Sequence, residues 1–180
     1  MGHERKRIVI IGTNFAGYTA ALELKELVGD NHDILVIANT DRFLFFPSLI
    51  WYPFGLREEK DISFDVRPIY AAHKIEFLKA EVTAFAPDRN QVLLRDQQPV
   101  SYDYLLIGTG PKVDYDYIPG LREHSYSIVG VAAAERTRQG WQKFLADPGP
   151  VVIASAQGAA CFGAAYEFLF NTRYQLAKAK

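Results

Sequence analysis

Residues 7–27 read RIVIIGTNFAGYTAALELKEL, and this stretch decides the fold. Ile8 to Ile11 are four apolar β-formers that run into Gly12. Two polar residues follow, then Phe15-Ala16-Gly17, then Ala20, Ala21, Leu22 and Leu24 on a helix-favouring background. The pattern is strand, tight glycine turn, helix, the unit that opens a dinucleotide-binding fold. Gly12 lets the chain turn off the strand end, and Gly17 lets the helix pack close to the sheet. The first N–H groups of the helix, around Asn14, Phe15 and Ala16, then face a pyrophosphate with help from the helix dipole. One position departs from G-x-G-x-x-G: the second glycine is Asn14. Asn tolerates positive φ better than other side chains, so the turn is expected to survive, with the Asn14 side chain beside the phosphate. Taken alone, these residues also fit an unrelated βα unit.

Outward from this unit, Val28-Gly29-Asp30-Asn31 is a turn and Asp33 to Ala38 (DILVIA) a second buried strand. A short helical crossover between two such strands implies a parallel sheet. At the end of the second strand an acid ordinarily holds the adenosine ribose. Here Ala38 and Asn39 occupy that place and the nearest acid is Asp41.

Phe43 to Asp61 is aromatic and interrupted by Pro47, Pro53 and Gly55, which predicts an irregular loop with short helical turns. Phe43, Phe45, Trp51 and Phe54 either cap the core or form an apolar wall beside a ligand. Phe64 to His73 reads as a short helix and Ile75 to Leu78 as a strand. Glu81 to Phe85 and Val92 to Leu94 read as strands joined by the turn sequence Pro87-Asp88-Arg89-Asn90. Val100 to Tyr102 leads into the strand Tyr104 to Ile107, which ends in Gly108-Thr109-Gly110. An antiparallel meander is therefore expected inside a parallel sheet. Val131 to Leu145 is a predicted helix with Gly140 as its weak point. Val151 to Ala154 is a predicted strand, followed by a helix from about Cys161 to Lys178, so a second strand–turn–helix unit closes the chain.

The 180 residues are 49% hydrophobic and 23% charged, with a formal charge of −1. Such a balance suits a globular α/β protein and argues against a nucleic-acid surface. One cysteine excludes an intrachain disulfide. The apolar run before Gly12 is too short for a signal-peptide core, and the prolines in Phe43–Leu56 leave it short of a membrane span. A cytoplasmic location, with peripheral membrane contact left open, is the expectation. His3, His32, His73 and His124 show no metal spacing, so no metal site is expected.

With SYDYLLIGTGPKV set beside the first glycine turn, the chain resembles the two-dinucleotide-domain flavoproteins, the disulfide reductase-like superfamily. Within it, DRFLFFPSLIWYPFG and PGPVVIASAQGAACFGAAYEFL resemble sulfide:quinone oxidoreductase and flavocytochrome c sulfide dehydrogenase. That resemblance implies a Rossmann-like FAD-binding domain over residues 5–120, a connecting helix over 121–149, and the opening βα unit of a second nucleotide-type domain over 150–180. It implies FAD contacts from Gly12, Asn14, Phe15, Ala16, Gly17, Ala38, Asn39, Pro47, Val82, Thr109 and Gly110. It also implies flavin-dependent oxidation of sulfide, electrons passing to a quinone, and Cys161 as the catalytic thiol beside the flavin. A cysteine often found near Val129 in these enzymes is absent, and their partner cysteine lies beyond the position of Lys180. The chain alone is therefore expected to be inactive and to self-associate, and a degenerate flavoprotein without activity is the alternative.

Two readings of the residues stand beside the resemblance. A thiol just before a helix is exposed to unpaired N–H groups that favour its reactive form, whereas most lone cysteines are buried and structural. The loop Ala154-Ser155-Ala156-Gln157-Gly158 is too poor in glycine for a nicotinamide cradle, which counts against a type II NADH dehydrogenase.

Overall fold

A computed structural model describes residues 4–159 and 161–179. The chain begins β1 (Arg7–Ile11), α1 (Phe15–Val28), β2 (Asp33–Ala38) and β3 (Arg42–Leu44), followed by two 3-10 turns (Phe46–Ile50 and Tyr52–Phe54). It continues α2 (Glu59–Ile62), β4 (Ser63–Asp65), α3 (Arg67–Ala72), β5 (Glu76–Lys79), β6 (Val82–Ala86), β7 (Gln91–Leu94), β8 (Val100–Ser101) and β9 (Tyr104–Ile107). Three helices complete it: α4 (Leu121–His124), α5 (Val131–Ala146) and α6 (Gly163–Lys178). Two compact units form, one from residues 1–44 and 63–112, the other from residues 45–62 and 113–180.

The first unit is built on a four-stranded parallel sheet in the order β5-β2-β1-β9. Its middle strands are buried on both faces, which is why they read as unbroken apolar runs. Ile8, Ile10, Ile34 and Val36 pack on one face with Ala21 of α1 and with Val66 and Tyr70. Val9, Ile11, Leu35 and Ile37 pack on the other, against Val92 and Leu94 of β7. The antiparallel meander β6-β7-β8 is thus a separate sheet covering the face opposite α1. Layers of helix, parallel sheet and meander result, the mixed α/β architecture read from the sequence.

Several local expectations change. Phe64, expected in a helix, lies in β4, where it pairs antiparallel with Phe43 and stacks on it at 4.9 Å. The helix α3 begins only at Arg67, with Pro68 in its first turn, where a missing N–H does no harm. Phe43 is thereby core, whereas Phe45 and Phe46 are exposed.

In the second unit Phe54 stacks on Phe168 at 5.2 Å and meets Trp141 edge-on at 5.1 Å. Leu49, Ile50, Tyr52 and Ala134 are buried there. Val151 to Ala154 forms no strand, contrary to expectation. A strand is held by a neighbour's backbone, and none of the described residues pairs with this segment. Val152 is accordingly 89% exposed. The last helix runs Gly163–Lys178, within two residues of the expected start near Cys161 and ending where expected.

Candidate functional site

The carboxyl end of a parallel sheet is where a doubly wound fold places its ligand. At that end of this sheet three glycines meet backbone to backbone. Gly12 leaves β1 with φ +103°, a left-handed angle that favours glycine. A Cβ on Gly12 would collide with the Gly108 carbonyl oxygen, and one on Gly17 with the Gly12 carbonyl oxygen. A Cβ on Gly108 would stand 3.0 Å from the Gly17 nitrogen. Gly12 N–H donates to the Ile37 carbonyl at 2.8 Å, and Gly108 N–H to the Ile11 carbonyl at 2.7 Å. The ends of β2, β1 and β9 are thereby tied together, and α1 is drawn tightly onto them.

Asn14 takes the N-cap position of α1 with φ −100° and ψ −164°. The expectation that it uses positive φ is therefore corrected: Gly12 absorbs the whole left-handed step, and Asn14 is extended. Its side chain does not cap the helix, and its Oδ1 is buried without a hydrogen-bond partner. No acid lies in the first turn of α1. The first helical bond runs from Tyr18 N–H to the Asn14 carbonyl at 2.8 Å, so Ala16 and Gly17 precede the point where the ladder begins. Phe15 and Ala16 are solvent-exposed. A helix start with no side-chain cap and no first-turn acid, reached through close glycine packing, fits the pyrophosphate of FAD.

At the end of β2, Ala38 is buried and its carbonyl accepts the Ala80 N–H at 2.9 Å, while Asn39 is exposed. The nearest acid is already engaged. Asp41 lies 3.2 Å from the Lys79 ammonium and 3.6 Å from the Arg67 guanidinium. The Lys79 hydrogen bond is the main reason its carboxyl titrates below the usual range. Asn39 is an exposed polar side chain at this strand end. Val82 is half-buried at the start of β6, and Thr109 and Gly110 are exposed beyond β9, with Gly110 at φ +69°. These residues share one unit with the glycine turn. Pro47 and Cys161 belong to the other unit.

Cys161 is exposed, which removes the buried structural reading. It stands ahead of α6, whose N-cap is Phe162. Gly158, in the loop before it, has φ +84°. Among the described residues, no group of three His, Cys, Asp or Glu side chains is gathered to hold a metal ion. No helix of the described residues is long and apolar enough to cross a membrane.

Sequence reasoning missed Thr13 and Tyr70. Their hydroxyls lie 2.8 Å apart in the interior, joining the glycine turn to α3. Nothing local in either segment signals a pairing across 57 residues. Gly108 is visible in the sequence as part of the Gly-Thr-Gly motif, but its role as a packing surface for α1 emerges only from the geometry.

The profile described as pyridine nucleotide-disulphide oxidoreductase matches residues 6–160. Sulfide-quinone reductase of Aquifex aeolicus is 36% identical over 173 residues, which is 96% of this chain and 40% of that protein. The crystal structure of the sulfide:quinone oxidoreductase from that bacterium superposes with a TM-score of 0.92 over 96% of this chain and 40% of its own. Demethylphylloquinone reductase NdbB of Synechocystis is 31% identical, covering 77% of this chain and 36% of that protein. An external alternative NAD(P)H-ubiquinone oxidoreductase B3 of Arabidopsis thaliana is 30% identical, covering 74% of this chain and 25% of that protein. This chain thus spans two fifths or less of the length of these relatives. Sulfide-quinone reductase and its kin are flavin-dependent oxidoreductases that bind FAD. The chain belongs to the pyridine nucleotide-disulphide oxidoreductase family, and it corresponds to the N-terminal part of sulfide-quinone reductase.

Proposed function

We propose that this chain is the FAD-binding portion of a quinone-linked flavoprotein that oxidises sulfide. The observation that carries the reading is the start of α1, which lacks a side-chain cap and an acid and is pressed against β1 and β9 through Gly12, Gly17 and Gly108. The backbone N–H groups from Asn14 to Gly17 hold the pyrophosphate, helped by the helix dipole. Ala38 leaves room for the adenosine ribose, and Asn39 hydrogen-bonds its hydroxyls. Val82, Thr109 and Gly110 add flavin contacts from the same unit. FAD, when bound, accepts two electrons from the reduced substrate and passes them on. Cys161 supplies the thiolate that would hold sulfide-derived sulfur as a persulfide, the two electrons released on S–S bond formation going to FAD and the protons to solvent, and its exposure leaves it open to alkylation.

In this reading residues 5–120 form the FAD domain, 121–149 connect, and 150–180 open a second nucleotide-type domain. Sulfide and quinone are the small-molecule partners, with peripheral contact to the membrane where the quinone resides. Reduction by NADH is disfavoured by the loop 154–158, where glycine stands only at Gly158. The test is titration of the purified chain with FAD, followed by anaerobic addition of sulfide or NADH to the full-length protein. Retained flavin that sulfide bleaches, and that Cys161→Ala leaves oxidised, supports the reading. A chain that binds no flavin, or flavin that NADH bleaches at a catalytic rate, overturns it.

A further inference from the structure

We infer that Thr13 and Tyr70 are a positioning pair that holds the phosphate-binding turn in its FAD-competent shape. The inference rests on the reading of that turn as an FAD cradle. Thr13 lies between Gly12, at φ +103°, and the N-cap Asn14, so it sits inside the turn itself. It is 2% exposed, and its Oγ1 lies 2.8 Å from the Tyr70 hydroxyl. Tyr70 has no exposed surface. Its ring stands 5.8 Å from Tyr18 in the first turn of α1, and 5.8 Å from Phe77 of β5. One side chain therefore grips the turn through its hydroxyl and the helix start through its ring.

The turn needs this grip because its other polar side chain does not provide one. Asn14 neither caps α1 nor finds a partner for its buried Oδ1. With Asn at the second glycine position, the backbone must be placed so that the Asn14 side chain clears the pyrophosphate. A buried hydroxyl without a partner is costly, so the pair Thr13–Tyr70 has one well-satisfied arrangement and no good alternative. Burial also pushes the Tyr70 phenol above its ordinary range, so the pair stays neutral at working pH.

The experiment measures the FAD dissociation constant by flavin fluorescence and the urea unfolding midpoint of the apoprotein. The variants are Thr13→Val, Tyr70→Phe, the double variant and Thr13→Ser. Each of the first two is expected to weaken FAD binding about tenfold, as for a buried polar group left unpaired. The double variant is expected to lose much less than the product of the two losses, because both partners are then apolar. Thr13→Ser keeps the hydroxyl and is expected to bind within about twofold of the wild type. Tyr70→Phe keeps the ring against Tyr18 and Phe77, so it tests the hydrogen bond even where Thr13→Val does not fold. Variants that lower the unfolding midpoint but keep the wild-type dissociation constant overturn the positioning role and leave the FAD reading intact. A wild-type chain that fails to bind FAD overturns both.

Discussion

Gly17 touches Gly12 directly: its α-carbon faces the Gly12 carbonyl oxygen, with no space for a β-carbon between them. The contact is backbone on backbone, so no side-chain rotation relieves an added methyl. Gly17→Ala is therefore expected to destabilise the protein by about 2–3 kcal/mol, the upper range for overpacking a tight interior. It is also expected to abolish FAD binding, because α1 must move off the sheet. Urea unfolding and flavin fluorescence check both, and an unchanged midpoint would show that the helix has slack here.

Gly140 carries a prediction of opposite flavour. In a helix interior glycine is unfavourable by about 1 kcal/mol relative to alanine, so Gly140→Ala in α5 looks stabilising by propensity. Yet the Tyr126 ring lies 2.6 Å from where that β-carbon would stand. The substitution is expected to destabilise by about 1–2 kcal/mol, since the aromatic ring must leave its place. With Tyr126→Ala in the background the sign should reverse, and thermal unfolding of the four proteins of the cycle measures it. Gly140→Ala that stabilises the wild type would show the ring to be loosely held.

Acid stability follows from two carboxylates. Asp30 accepts from Lys25 at 2.7 Å and Lys74 at 2.9 Å, which lowers its pKa to about 2. Asp65 is chelated by Arg67 and likewise titrates at about 2. A depressed folded-state pKa means stability that is complete above the ordinary value of 3.8 and lost as pH falls toward 2. Asp30 is exposed and Asp65 only half-buried, so the effect is small and screened by salt. Asp30→Asn and Asp65→Asn are expected to flatten the decline in unfolding midpoint between about pH 4 and 2, and to leave its shape above pH 5 unchanged. An identical acid limb in both variants would mean that the decline comes from other carboxyls.

Cys161, being exposed, is expected to react with a thiol reagent in the native protein to one equivalent. Cys161→Ala should shift stability by no more than about 0.5 kcal/mol, as for other surface substitutions. A thiol that reacts only after denaturation would contradict the exposed position and weaken its assignment as the sulfide-capturing group.

The layered fold was legible because its signals are local and repeated. Ile8 to Ile11 and Asp33 to Ala38 each announce a strand buried on two faces, Tyr104 to Ile107 announces a strand that proves to be a half-exposed edge, and Gly12 and Gly17 announce the turn. Phe64 was misread because a three-residue strand has too few residues for its period to separate from a helix. Val151 to Ala154 carries strand-like side chains, but strand formation belongs to a partner, and propensity cannot supply one. The candidate site divides the same way. Gly12 and Gly17 are visible as a pattern of spacing. The left-handed step assigned to Asn14 falls instead on Gly12, and Thr13–Tyr70 is a contact between distant segments that no periodicity encodes.

The pairing of β1 has a consequence for how the molecule assembles. Its β2 edge is closed by residues that follow within one helix, but its other edge waits for β9, where Arg7 N–H meets the Asp103 carboxylate 96 residues away. At ribosomal speeds of about 5–20 residues per second, that edge of the β1–β2 pair stays unsealed for roughly 5–20 s of synthesis. Because the Gly12–Gly108 contact forms with the same closure, the glycine turn reaches its final packing only once residue 108 has been made, with α4, α5 and α6 still to follow. Cofactor capture is thereby placed after sheet completion, and the half-made strand is the stretch with most need of shielding during translation.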